Sequence, residues 1–154
     1  MCKQIIVDNH NEDYVTWEMF LSRGFVFLKT YWRIEERISI LFYPVNFYLL
    51  SHALELFLKG GLRRKTYSLK QIEDYGHDLV SLFKEVNSVF KLSVDQDRVE
   101  RIKLLNKYYE NKDLEYCGSG GLGLPRINEI EKIAVVYGEI CGVSAISLDK
   151  SNYL

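Results

Sequence analysis

Proline is scarce in this sequence, with two in 154 residues, Pro44 and Pro125. A chain with so few helix breakers can carry long helices. Each proline also stands at the start of a segment with helical periodicity, where its missing N–H is harmless. No period-2 alternation of useful length, no internal repeat and no low-complexity block is present, which argues against sandwiches, barrels and solenoids. The three cysteines, Cys2, Cys117 and Cys141, are odd in number and far apart. They form neither a disulfide framework nor a zinc site, and the expected compartment is the reducing cytoplasm. No local feature marks any of the three as a stabilised thiolate. No run approaches the roughly 20 apolar residues that span a bilayer. The N-terminal "MCKQIIVDNHNEDY" lacks the apolar core and cleavage site of a secretory signal. Charge of one sign is also lacking, with Lys+Arg 20 against Asp+Glu 21. Attraction to nucleic acid or to an anionic membrane would have to come from a local patch.

What is present is apolar, and it recurs at helical spacing. A hydrophobic content of 47% suffices for one continuous core, so the expectation is a single domain over residues 1–154 with its core at about 13–141. Trp17, Leu21, Phe25 or Gly24, Leu28 and Trp32 predict a first helix from about Asp13 to about Arg37, capped among Asn9, Asn11 and Asp13. From Pro44 a second helix is apolar on nearly every side, and Gly60 and Gly61 either end it or let another backbone approach. A short helical piece around Leu69 to Tyr75, a third helix from near His77 to near Phe90, and a fourth opened by Ser93 or Asp95 follow. "ENKDLEYCGSGGLGL" reads as a loop, Pro125 to about Cys141 as the last helix, and "SAISLDKSNYL" as a loose tail. The predicted fold class is all-α, an antiparallel up-and-down bundle of about five helices. The second helix must be covered by the other helices or by a second subunit, which favours a homodimer.

Few motifs carry chemistry by themselves. "CGSGGLGLP", including Gly118 to Gly123, lacks the Lys-Ser/Thr ending of a phosphate loop and follows a helical segment, so it reads as a flexible linker. His10, His52 and His77 have no partner at metal-ligand spacing, and neither a metal nor a cofactor is expected. There is no G-x-S-x-G nucleophile elbow. Two basic stretches carry tyrosines: Arg63, Arg64, Lys65 and Lys70 around Tyr67, and Arg98, Arg101, Lys103 and Lys107 ahead of Tyr108 and Tyr109. Cations with interleaved aromatics suit single-stranded RNA or nucleotides, while the plainer reading is a solvated face. Within the apolar second helix, "SHALELFLKGGL" keeps His52, Glu55 and Lys59 on one stripe. Either Glu55 and Lys59 form a structural i, i+4 pair, or the stripe lines a cleft in which Lys59 receives a phosphate.

Taken together, "YLLSHALELFLKGGL", "YGHDLVSLF" and "LLNKYYENKDLEY" resemble the HEPN domain family (higher eukaryotes and prokaryotes nucleotide-binding). Ala53, Glu55 and Lys59 match its A-x-E-x-x-x-K helix. Gly76, His77, Asp78 and Leu79 match its G-H-D-L helix start, and Leu105, Asn106, Tyr109 and Tyr116 its L-N-x-x-Y stretch. Glu115 stands where the family often has arginine. The resemblance implies an all-α bundle, usually dimeric, in toxin–antitoxin or defence settings, often beside a nucleotidyltransferase. Catalytic members resemble metal-independent ribonucleases with an R-x(4–6)-H motif, in which arginine stabilises phosphate charge and histidine does acid–base work.

That motif is absent. The positions five to seven before His52 are Val45, Asn46 and Phe47; before His77, Lys70, Gln71 and Ile72; before His10, Lys3, Gln4 and Ile5. The expected protein is a non-catalytic domain that binds a nucleotide, single-stranded RNA or a partner protein through Lys59, Glu55, His52, Asp78, Asn106 and Tyr109. One alternative is a divergent ribonuclease that pairs Arg63 or Arg64 with His77. The other is a structural partner of a nucleotidyltransferase, a toxin or an antitoxin. For His77 and Asp78 the structural alternative is a helix cap.

Overall fold

Helical periodicity in the sequence becomes seven α-helices in the computed structural model, which describes residues 14–35, 43–116 and 123–153. They are α1 (Trp17–Glu35), α2 (Tyr43–Arg64), α3 (Leu69–Glu73), α4 (Leu79–Val89), α5 (Gln96–Tyr109), α6 (Asp113–Tyr116) and α7 (Ile127–Cys141). A 3-10 turn at Lys150–Asn152 follows, and no strand occurs among the described residues. The five long helices are those the periodicity predicts, so the all-α bundle is observed. The segment expected as a loop after α5 is in part helical: α6 turns Leu114 into the core at 2% exposure. The caps expected among Asn9, Asn11 and Asp13, together with His10, Cys2, Cys117 and residues 118–122 of the glycine stretch, lie outside the described residues.

Side-chain caps explain where several helices begin. Asp95 Oδ1 accepts from Asp97 N at 3.0 Å and opens α5. Ser68 and Gln71 make a reciprocal capping box on α3, at 3.2 Å and 2.8 Å. At α4 the cap is Asp78, not His77, because Asp78 Oδ1 accepts from both Val80 N and Ser81 N at 3.0 Å. Each such cap contributes on the order of 1 kcal/mol. The imidazole of His77 is thereby released for another contact.

The apolar circumference of α2 is covered by the chain itself. This helix packs most extensively on α1 and α7 and also touches α3, α4, α5 and α6. Phe47, Leu50, Ala53, Leu54, Phe57, Leu58 and Leu62 are all fully buried. A second subunit is therefore not needed to cover these residues, while Val45 near the start of α2 stays 38% exposed. Gly60 and Gly61 lie inside α2 and do not end it. A Cβ on Gly60 would come within 2.6 Å of Leu21 Cδ2, and one on Gly61 within 2.5 Å of Cys141 Sγ. Across the α1–α2 interface Gly24 faces the ring of Phe57 and the carbonyl of Ala53. A Cβ at Gly24 would lie 2.8 Å from the first and 3.0 Å from the second.

The tail after α7 is not loose. Leu148 is 6% exposed, Lys150 pairs with Glu131 at 3.4 Å, and Tyr153 stacks on Trp32 at 5.7 Å between ring centroids. Glu131 in turn accepts from Trp32 Nε1 at 2.7 Å and Tyr31 Oη at 3.2 Å. The aromatic and charged residues of the tail thus latch it to α1 and α7. No helix among the described residues is long and apolar enough to cross a membrane.

Helix propensity alone makes Gly24→Ala stabilising by about 1 kcal/mol. The packing against Phe57 and Ala53 makes it overpacking, at about 1 to 3 kcal/mol. Urea denaturation is expected to show a net loss of stability; a gain would mean that α1 and α2 are farther apart than described.

Candidate functional site

Glu55 is the centre of a buried polar cluster. It faces inward from the middle of α2 at 2% exposure, in a region where an unpartnered charge is very unfavourable. Four side chains from three parts of the chain answer it. Lys59, one turn later, donates to Oε1 at 2.7 Å and also to the Gly76 carbonyl at 2.7 Å. His77, in the connection before α4, approaches Oε2 through Nδ1 at 3.0 Å. Tyr109, at the end of α5, donates its hydroxyl proton to Oε2 at 2.5 Å. His52 stands 3.8 Å from Oε2 and meets the carboxylate through Tyr109, its Nδ1 lying 2.8 Å from that hydroxyl oxygen.

These contacts determine the protons. The one proton of Tyr109 is committed to Glu55, so His52 Nδ1 must be an N–H that donates to the phenol oxygen. The carboxylate can only accept, so His77 Nδ1 is an N–H as well. Burial by itself raises the Glu55 carboxyl. The charge of Lys59 and the hydrogen bonds from His77, Lys59 and Tyr109 outweigh that effect and hold its pKa below the ordinary value. Glu55 is therefore ionised at neutral pH, and it fixes the orientation of both imidazoles. His52 is further sandwiched, edge-on to Phe27 at 4.4 Å and stacked on Tyr48 at 5.7 Å. His77 is the outermost member, its side chain half exposed.

A second layer pins the loop that carries His77. Asn106 of α5 accepts from Leu79 N at 2.8 Å, and its amide donates to Glu110 at 3.0 Å and, at 3.4 Å, to Asp78. The turn Gly76–Leu79 is thus tied to α2 through Lys59 and His77, and to α5 through Asn106. Gly76 itself has φ +54, a left-handed conformation that glycine adopts without strain.

Of the residues that the sequence singles out, His52, Glu55, Lys59, His77 and Tyr109 meet in one cluster, with Asp78 and Asn106 in its second layer. Arg63 and Arg64 do not join it. Arg63 donates to the carbonyls of Val15 and Tyr67, and Arg64 reaches the Cys141 carbonyl at 3.3 Å with its guanidinium over Trp17. The basic stretches are largely engaged too: Lys65 lies over Phe90, Arg101 pairs with Glu129, and Lys103 with Glu100. Lys59 is only 12% exposed and donates to two acceptors, Glu55 and the Gly76 carbonyl, which fits the structural reading of the stripe better than a phosphate-receiving lysine. Sequence reasoning missed Tyr48 and Phe27. Tyr48 precedes His52 by one helical turn, a spacing that could have flagged it; Phe27 comes from α1, and nothing local to the stripe points to it.

Among the described residues no group of histidine, cysteine, aspartate and glutamate is arranged to hold a metal ion. The buried thiol of Cys141 is pushed up to about 12 by desolvation, which suits packing and not nucleophilic attack. In comparisons with known proteins, no family model, no curated protein and no solved structure matches this chain.

Two outcomes follow for the cluster. Lys59→Met strands a buried carboxylate and is expected to lower stability in urea by about 3 kcal/mol, while Lys59→Met with Glu55→Gln loses less than the single variant. A double variant worse than the single would contradict the pairing. Because the folded-state pKa of Glu55 is lowered, its contribution is complete above the ordinary value of 4.5 and is lost as pH falls through the lower folded value. Acid titration of stability is expected to be shallower in Glu55→Gln than in the parent.

Proposed function

We propose that this chain is a non-catalytic, HEPN-like domain that binds a nucleotide or single-stranded RNA where His77 covers the Glu55 cluster. The observation that carries this reading is the hydrogen bond from His77 Nδ1 to buried Glu55, which holds a half-exposed imidazole with its inner edge fixed and its outer edge towards solvent. A ring so oriented can stack on a base or donate to a phosphate without first losing conformational freedom. Tyr109 stands edge-on behind it at 5.9 Å and keeps it from turning inward.

Phosphodiester cleavage would require a cation on the phosphate beside the acid–base group. The candidates are engaged: Lys59 by Glu55 and Gly76, Arg63 and Arg64 by carbonyls elsewhere. This argues for binding without turnover and against the ribonuclease alternative. The HEPN likeness rests on the sequence pattern, and the assembly of that pattern around Glu55 supports it. A homodimer, a toxin–antitoxin or defence setting, and a partner nucleotidyltransferase or antitoxin belong to the same proposal, as does a cytoplasmic location.

Fluorescence anisotropy of a labelled single-stranded RNA, titrated at low and moderate salt and run on a gel afterwards, tests it. Salt-sensitive binding of intact RNA, weakened about tenfold by His77→Ala, is expected. RNA cleaved by the parent and intact with His77→Ala would favour the ribonuclease. No binding at tens of micromolar would leave a protein partner as the better reading.

A further inference from the structure

A second constellation lies away from Glu55, between α5 and α7. A cleft of about 270 Å³ is lined by Asp95, Arg98, Arg101, Glu129, Lys132, Ile133 and Val136. Arg98 reaches Asp95 through Nε at 3.5 Å, and Arg101 reaches Glu129 through Nε at 3.0 Å. In both pairs the carboxylate meets Nε, so terminal N–H groups of Arg101, and those of Arg98 that Tyr137 does not engage, can donate to a further anion. Lys132 has no ion pair among the described residues and adds a third cation. Behind Arg98 lies the buried hydroxyl of Tyr137, which gives its proton to Asn87 Oδ1 at 2.6 Å and so turns a lone pair towards the guanidinium. Arg98 is thus held by Asp95 and Tyr137, and Arg101 by Glu129.

Three cations against two carboxylates leave the cleft one positive charge in excess. Its aliphatic lining is Val136, 36% exposed, with Ile133 beneath it at 4% exposure. We infer that this cleft binds a monocarboxylate with an apolar tail, the carboxylate received by Arg98, Arg101 and Lys132 and the tail lying on Ile133 and Val136. A monoanion balances the excess charge, whereas a phosphomonoester dianion would leave a net negative charge on a half-buried surface. The volume is just below the 300 to 1,000 Å³ usual for ligand pockets and therefore suits a small acid or the last residue of a chain. The same chemistry is offered by a free organic acid and by the C-terminal residue of a peptide.

Two-dimensional NMR of the ¹⁵N-labelled full chain, including the arginine Nε–H signals, distinguishes these sources. The probes are 3-phenylpropionate, an N-acetylated tetrapeptide ending in leucine, its C-terminal amide, and inorganic phosphate. Saturable shifts of the Arg98 and Arg101 signals with 3-phenylpropionate or the free-acid peptide are expected, with the amide at least tenfold weaker. The tighter of the two acids identifies the source. Arg98→Gln with Lys132→Met is expected to weaken binding at least tenfold, and Val136→Asp to abolish it, with the remaining amide spectrum retained as proof of folding. No saturable shift at 10 mM, equal binding of phosphate, or unchanged affinity in the folded double variant would overturn the assignment. All of these readouts are independent of RNA binding at His77.

Discussion

A carboxylate removed from water is strongly destabilising unless its charge and its lone pairs are both answered. Glu55, at 2% exposure among the buried apolar residues of α2, is answered twice over, by the charge of Lys59 and by hydrogen bonds from Lys59, His77 and Tyr109. Much of the local architecture is a consequence. The turn before α4 must come close enough for His77 to reach α2, and α5 must end where Tyr109 can reach the same oxygen. Asn106 and Asp78 hold that turn in place. The cluster therefore couples three elements far apart in the chain, and apolar packing alone would not specify that register.

The same arrangement limits what chemistry is open to the protein. A lysine that neutralises a buried carboxylate is a poor phosphate receptor, since releasing it would strand Glu55. A histidine whose Nδ1 is held by that carboxylate is by contrast well oriented, because only its outer edge remains to meet a ligand. In the proposed reading structure and binding are divided between neighbouring residues: Lys59 and Tyr109 hold Glu55, and His77 faces solvent. The cleft between α5 and α7 has the opposite character, with its two arginines partly exposed and each paired with a carboxylate through Nε.

The close approach of α1 to α2 has a simpler cause. Gly24 accommodates Phe57, and Gly60 and Gly61 accommodate Leu21 and Cys141, so that two helices and α7 fit around a fully buried phenylalanine. Where the chain needs caps it has Ser68, Asp78 and Asp95 at the helix starts. Local sequence and tertiary packing agree at these points.

The five long helices were determined by the sequence, since 3.6-residue periodicity, two prolines at helix starts and well-placed caps are local properties. So was the stripe of His52, Glu55 and Lys59, because polar residues at fixed spacing inside an apolar helix have few reasons to be there. Tertiary structure alone decided three things. It covered α2 with the chain's own helices, where the apolar pattern left a second subunit open. It latched a tail that reads as loose, through Tyr153 on Trp32 and Lys150 on Glu131. It also sent Arg63 and Arg64 to backbone carbonyls and brought His77 to Glu55. Each of these depends on which residues meet across long separations in the chain, and periodicity along one helix carries no information about the partner that lies opposite.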